Sequence, residues 1–322
     1  MLGWQDLTVM INSMKGNNYF EDERLSLIEM YQSFEILEQK GWLKELICFQ
    51  KVEGSDAFPI YGYLSVPNPT EPIESLWIMG GVHGEEPAGP NAFAQMIDHI
   101  SALKEYSIPV MFLPMLNPSR YSRDFRYENE FRDFRKGQSV TDSEHLLLND
   151  EGRARSDQPI SQTSKEITGW VVKNFTTYLP KLVIDHHEDR VPERFSEGDP
   201  RSISGCYVYY SGRSRKKIEI AASIVDIFRQ CGLPVIEKGV TRFGESVAEG
   251  ILENGPDGSI DELMMAKKYV DLTTITKKYP AMVGIVVETT IPFNGGLALQ
   301  KRVDAHNKII MSYKDFWDSI DG

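Results

Sequence analysis

Apolar residues recur at helical spacing through residues 21–46, where Leu25, Ile28, Tyr31, Phe34 and Leu37 share one side; the pattern predicts one or two helices with a break at Lys40-Gly41. From 48 to 66 the pattern becomes strand-like, and Pro67, Asn68, Pro69 and Pro72 mark a turn. Beyond it, short and nearly continuous apolar runs at 76–81, 110–116, 181–185, 206–210 and 282–288 predict strands buried on both faces. Helical stripes lie between them. One is Ala92, Phe93, Met96, Ile97, Ile100 and Leu103; a second is Ile167, Trp170, Val171 and Phe175; a third is Ile218, Ala222, Ile224, Val225 and Phe228. A last helix is expected at about 298–320, with Leu299, Val303, Ile309, Ile310, Tyr313, Phe316 and Trp317. This alternation predicts an α/β fold, a three-layer α/β/α sandwich with a mixed, mostly parallel central sheet. The polar stretch 119–162 is the main irregular region, and loops of that length usually carry function. With no repeat and no Pro/Ser-rich linker, residues 1–322 read as one domain, in which 1–46 form a helical lead-in.

Composition adds limits. A 41% hydrophobic, 25% charged chain reads as a water-soluble globular protein. No run reaches the roughly 18 apolar residues that cross a bilayer, and Met1–Asp6 lacks a basic region followed by an apolar stretch, so the expected location is the cytoplasm. A net charge of −12 disfavours nucleic acid as a partner, and an anionic substrate would have to be held by local arginines. Cys48, Cys206 and Cys231 read as buried, reduced thiols.

The chemistry is concentrated at three strand ends. In Gly80-Gly81-Val82-His83-Gly84-Glu85-Glu86-Pro87, an apolar strand ends in two glycines and a helix follows the proline. His83 and Glu86 therefore stand at a strand's carboxyl end, where open α/β sheets place ligands, and their spacing lets an imidazole and a carboxylate converge on one cation. A lone pair of this kind would more often be a strand-end histidine and a carboxylate at a helix start. A second strand ends in Asp185-His186-His187-Glu188. Alternation sends the two histidines to opposite sides, so one of them faces the metal, and Asp185 or Glu188 would accept the ligand's other ring N–H. A third strand ends at Glu288, read either as a general base for a metal-activated water or as a structural carboxylate paired with Arg302 or Lys301.

Together these strings resemble the zinc carboxypeptidase superfamily, which includes the carboxypeptidase A-like peptidases and the succinylglutamate desuccinylase/aspartoacylase branch. The resemblance runs through Gly80–Pro87, Leu116-Asn117-Pro118, Ile184–Glu188 and Val287-Glu288-Thr289, and landmarks cover roughly 75–306. It implies one zinc ion held by His83, Glu86 and His187, the last because the family's ligand follows its Asp by two. It implies Glu288 as catalytic base and an arginine after the Asn-Pro turn to bind the oxyanion: Arg126 first, with Arg120 and Arg123 behind it. Arg135, Arg120 and Asn117 are the expected substrate contacts. The family's Asp-x-Asn-Arg is missing; the nearest string is Arg132-Asp133-Phe134-Arg135-Lys136, without the Asn. The activity implied is hydrolysis of an amide bond, in a peptide or in an N-acyl amino acid. A binding module that kept the fold without catalysis is the rival from another class.

Overall fold

The computed structural model describes residues 23–51, 57–128, 139–190, 201, 204–271, 274–291 and 297–320. The first helix, α1 (Leu27–Gln39), opens on a reciprocal cap in which Ser26 and Glu29 satisfy each other's backbone N–H groups. It ends where Gly41 takes φ 78°. Residues 43–46, expected as helix, are instead the start of β1 (Leu43–Lys51), because after the Gly41 turn they pair with β2 (Ala57–Leu64), Leu43 opposite Leu64 and Leu46 opposite Tyr61.

Among the described residues the main sheet has ten strands. Its centre is β4 (Val110–Leu113), β3 (Ile73–Gly80), β5 (Tyr178–Arg190) and β12 (Val283–Ile291), parallel and in that order. β2 and β1 extend the β4 edge antiparallel. Beyond β12 come β6 (Tyr207–Ser211), β9 (Ile251–Glu253), β8 (Ser246–Ala248) and β7 (Lys238–Val240). A separate hairpin pairs β10 (Lys268–Asp271) with β11 (Thr274–Lys277). The sheet is thus mixed, with a parallel core and mainly antiparallel flanks.

Both faces are covered, as continuous apolar strands require. On one face Leu76, Ile78, Leu182, Ile184, Ile285 and Val287 pack with α1, α2 (Ala88–Gln95), α3 (Ile97–Ala102), α6 (Lys216–Gln230), α8 (Leu299–Met311) and α9 (Tyr313–Ser319). On the other, Trp77, Met79 and Val183 meet α5 (Gln162–Asn174) and α7 (Ile260–Met265). Two helices depart from expectation. The stripe of α6 is Ile220, Ala221, Ile224, Val225, Ile227 and Phe228, whereas Ile218 is 46% exposed and Ala222 faces solvent. The final helix divides at Ser312, whose hydroxyl bonds back to the Lys308 carbonyl and ends α8. Within 119–162, α4 (Pro118–Tyr121) begins just before the irregular stretch, and residues 129–138 lie outside the described residues. All three cysteines are free; Cys206 is buried, Cys48 and Cys231 partly so.

Candidate metal centre

The His83–Glu86 turn is set by glycines. Gly81 takes φ 65° directly after β3, and Gly84 lies so close to α4 that a Cβ there would fall 2.1 Å from the Arg120 carbonyl carbon. Arg24, which sequence reasoning missed, donates to the Gly84 and Tyr121 carbonyls and pairs with Asp124, tying turn and α4 together. Asn117 sits behind the turn, fully buried. Its amide donates to the carbonyls of Val82 and Arg126 and accepts from Gln50. Arg120, 2% exposed, donates to the Glu128 carbonyl. Neither Asn117 nor Arg120 lines the cleft; both shape the turn from behind. Arg135 lies outside the described residues.

Strand register supplies the rest. On β5, Asp185 and His187 face one side and His186 the other. Glu288 of β12 stands level with His187. His83, Glu86 and His187 are all buried, and each offers a ligand atom within 4.8 Å of the others. His187 Nδ1 lies 2.9 Å from Glu86 Oε2 and its Nε2 lies 3.0 Å from Asp185 Oδ2, so Asp185, not Glu188, orients the ring. Glu188 faces the opposite layer, where it takes the Arg302 guanidinium and the Ala88 N–H. Arg302 is therefore spent on Glu188, and Lys301 donates to the Gly232 carbonyl; neither is the partner of Glu288. Arg126 Nη1 pairs with Glu86 and lies 3.5 Å from Glu85, leaving its buried Nε with no hydrogen-bond partner.

His186 belongs to the core. Its ring bonds His306 Nδ1 at 2.7 Å and the Tyr313 hydroxyl at 2.6 Å, packed on Phe93. His145 faces Thr168 at 3.4 Å and does not line the cleft. Of the three tyrosines on β6, Tyr209 reaches the cleft, its hydroxyl bound to Glu245.

The electrostatics follow from burial against these partners. Burial lowers the pKa of His83 well below its usual value, and Arg126 adds to the shift, so the ring is neutral and its lone pair free. Burial alone would raise Glu86, but His83, Arg126 and His187 hold it low. Against burial, Asp185 and Glu86 hold His187 well above the usual histidine range. Burial raises Glu288 well above the usual carboxylate range, with the Glu86 and Asp189 charges adding. Of these groups His83, Arg126, Asp185, His187 and Glu288 line a cleft of about 320 Å³ that also includes Tyr127, Asp142, Tyr209, Glu245, Asp257 and Asp261.

No family model and no curated protein matches this chain in sequence. Solved structures do. A protein of Shewanella baltica ascribed to the metallopeptidases superposes with a TM-score of 0.63 at 19% identity, covering 94% of this chain and 100% of its own. A second, from Shewanella amazonensis, gives 0.63 at 19% identity over 88% and 91%. The metallo-carboxypeptidase of Burkholderia cenocepacia gives 0.56 at 9% identity, over 93% of this chain and 71% of that one. At such identities the likeness is one of fold: the chain is built as the metallocarboxypeptidases are.

Proposed function

We propose that the protein is a zinc-dependent hydrolase of amide bonds, working as a carboxypeptidase-like metallopeptidase. The observation that carries this reading is the buried His83–Glu86–His187 group beside Glu288, with His83, His187 and Glu288 lining one cleft. The donor set suits zinc: two imidazoles and a carboxylate, with His83 Nδ1 buried and without a hydrogen-bond partner, an arrangement that a cation would complete. Bound there, zinc would act as a Lewis acid and lower the pKa of a water. Glu288, level with His187 on the neighbouring strand, would act as the base that takes a proton from the attacking water and gives it to the departing amine. Arg126 lines the cleft and keeps a buried Nε without a hydrogen-bond partner, and its guanidinium would be the donor to the oxyanion as the carbonyl becomes tetrahedral. Asp185 holds the His187 ring in one orientation throughout.

Metal content by mass spectrometry tests the reading. Purified wild type should carry about one zinc per chain and His187→Ala far less; equally low metal in both would sink the enzyme. N-blocked peptides set against N-acyl amino acids then separate peptidase from deacylase. Release of C-terminal residues alone is the expected result.

A further inference from the structure

The chain neighbours of the candidate ligands and base meet one another on the far side of the sheet. His186 and Glu188 flank His187 on β5, Thr289 follows Glu288 on β12, and Ala88 comes two residues after Glu86. The Glu188 carboxylate, 0% exposed, joins these segments. Its Oε2 accepts the Ala88 N–H at 2.7 Å, and its Oε1 accepts the Thr289 hydroxyl at 3.3 Å and Arg302 Nε at 2.5 Å. The Glu188 backbone N–H donates to Glu86 Oε2 at 3.2 Å. Gly89 permits the bond to Ala88. A Cβ there would fall 2.8 Å from that of His186, so a glycine is what lets α2 sit this close to β5.

From Thr289 the bonds continue. Its hydroxyl oxygen lies 3.1 Å from His306 Nε2, His306 Nδ1 lies 2.7 Å from His186 Nδ1, and His186 Nε2 lies 2.6 Å from the Tyr313 hydroxyl. With both rings neutral, as burial favours, the protons can be placed in one way. Paired with Arg302, the Glu188 carboxylate accepts, so Thr289 donates to it and takes the His306 Nε2–H. His306 Nδ1 then accepts from His186 Nδ1–H, and His186 Nε2 accepts from Tyr313. Every bond runs toward Glu188, and none of these side-chain atoms is left without a partner. Apolar side chains packed in its place would often stabilise the layer as well. The use of the network therefore lies in what it fixes, because a fully satisfied polar chain holds the elements it joins in one arrangement.

We propose that Glu188 is a positioning residue of the metal centre: from behind, it ties together the segments that carry Glu86, His187 and Glu288, and so holds two ligands and the base at one spacing. This deepens the metal-hydrolase reading and rests on it in taking His83, Glu86 and His187 as metal ligands. Thr289 and Arg302 act through Glu188, one beside the base and the other as counter-charge.

The cobalt-loaded full chain tests this, because the d–d absorption of cobalt(II) reports the geometry of its ligands. Glu188→Gln keeps the size of the side chain but cannot accept from Ala88, Thr289 and Arg302 at once. Thr289→Val removes one bond at similar volume, and Thr289→Ser keeps it. Cobalt affinity, measured by competition with a chelator, should fall about 10- to 100-fold in Glu188→Gln, the cost typical of losing a group behind a metal ligand. The absorption bands should shift in Glu188→Gln, shift less in Thr289→Val, and return to the wild-type positions in Thr289→Ser. On a peptide substrate kcat should fall in Glu188→Gln with KM unchanged. A lower thermal midpoint in Glu188→Gln and Thr289→Val, with affinity and spectrum both unchanged, overturns the proposal and leaves the network a structural one. Should Glu188→Gln fail to fold, Thr289→Val decides by the same two readouts. Cobalt binding with the expected shifts but no peptide cleavage refutes the hydrolase reading and leaves the positioning role standing; a wild type that binds no cobalt refutes both.

Discussion

The two adjacent histidines of β5 have opposite electrostatic lives. His187 faces two carboxylates, while His186 is sealed with His306 and Tyr313 in the helical layer. Burial drives His306 down to about 3, with Arg302 adding to the effect. Unfolded, the same ring takes up a proton below about pH 6.5. Between those values the unfolded chain binds a proton that the folded one refuses, so stability falls as pH falls, by on the order of 1 kcal/mol per pH unit for this ring. Thermal midpoints should therefore drop from pH 6.5 to 4, and less steeply in His306→Asn than in wild type. At the cleft, Glu288→Gln should keep its zinc and lose about 10²–10⁴-fold in kcat on a peptide substrate, the usual worth of a positioned base. Kinetics beside metal content distinguish this from His187→Ala, which should lose both. The residues at strand ends were legible in the sequence because a buried apolar run seldom stops at His or Glu unless a partner or a cation awaits the polar group. Asn117 and Arg120 were not, since spacing from a motif gives proximity to the cleft but not direction. Asp142 and Asp261 carried no local signal at all: each is one acid among 47 Asp and Glu.

Among the secondary-structure elements, the turn after β3 depends on a glycine that periodicity does not flag. Gly84→Ala would push a methyl into the backbone of Arg120 and Tyr121. The expected cost is about 1–3 kcal/mol, as for other overpacked sites. Urea denaturation should show it, together with weaker zinc retention, because the displaced segment carries His83 and Glu86. The strands of the centre were readable from their apolar runs, and most helices from their stripes. The misreadings share a cause. Residues 43–46 and the kink at Ser312 were decided by a left-handed glycine and a side-chain bond to the backbone, local choices that a hydrophobic pattern averages away. On α6, Ile218 has the right chemistry but sits two positions before the face that Ile220 begins.

For the molecule as a whole, the layered architecture was expected but the strand order was not. The order β1-β2-β4-β3-β5-β12-β6-β9-β8-β7 joins strands far apart in the chain, and nothing in a single sequence reports pairing at that distance. The fold's dependence on both faces is testable at Trp77, which is fully buried against Trp170 and Phe175 on the side opposite Ile78. Trp77→Ala should cost about 3–5 kcal/mol, measured by chemical denaturation.

One irregularity in the sheet has a reach beyond its size. Along β3 and β5 the pairing passes from Ser75 opposite Pro180 to Leu76 opposite Leu182, so β5 holds one residue, Lys181, that β3 does not match. Before it Tyr178 packs with the layer of α5; after it Leu182 packs with the opposite layer, although an even step separates the two. Strict alternation from Tyr178 would have delivered His186 and Glu188 to the cleft and driven Asp185 and His187 into the helices. Either frame offers an imidazole and a carboxylate. The choice between two rival half-sites written into four consecutive residues, Asp185 to Glu188, is thus made upstream, by a single supernumerary lysine following a proline.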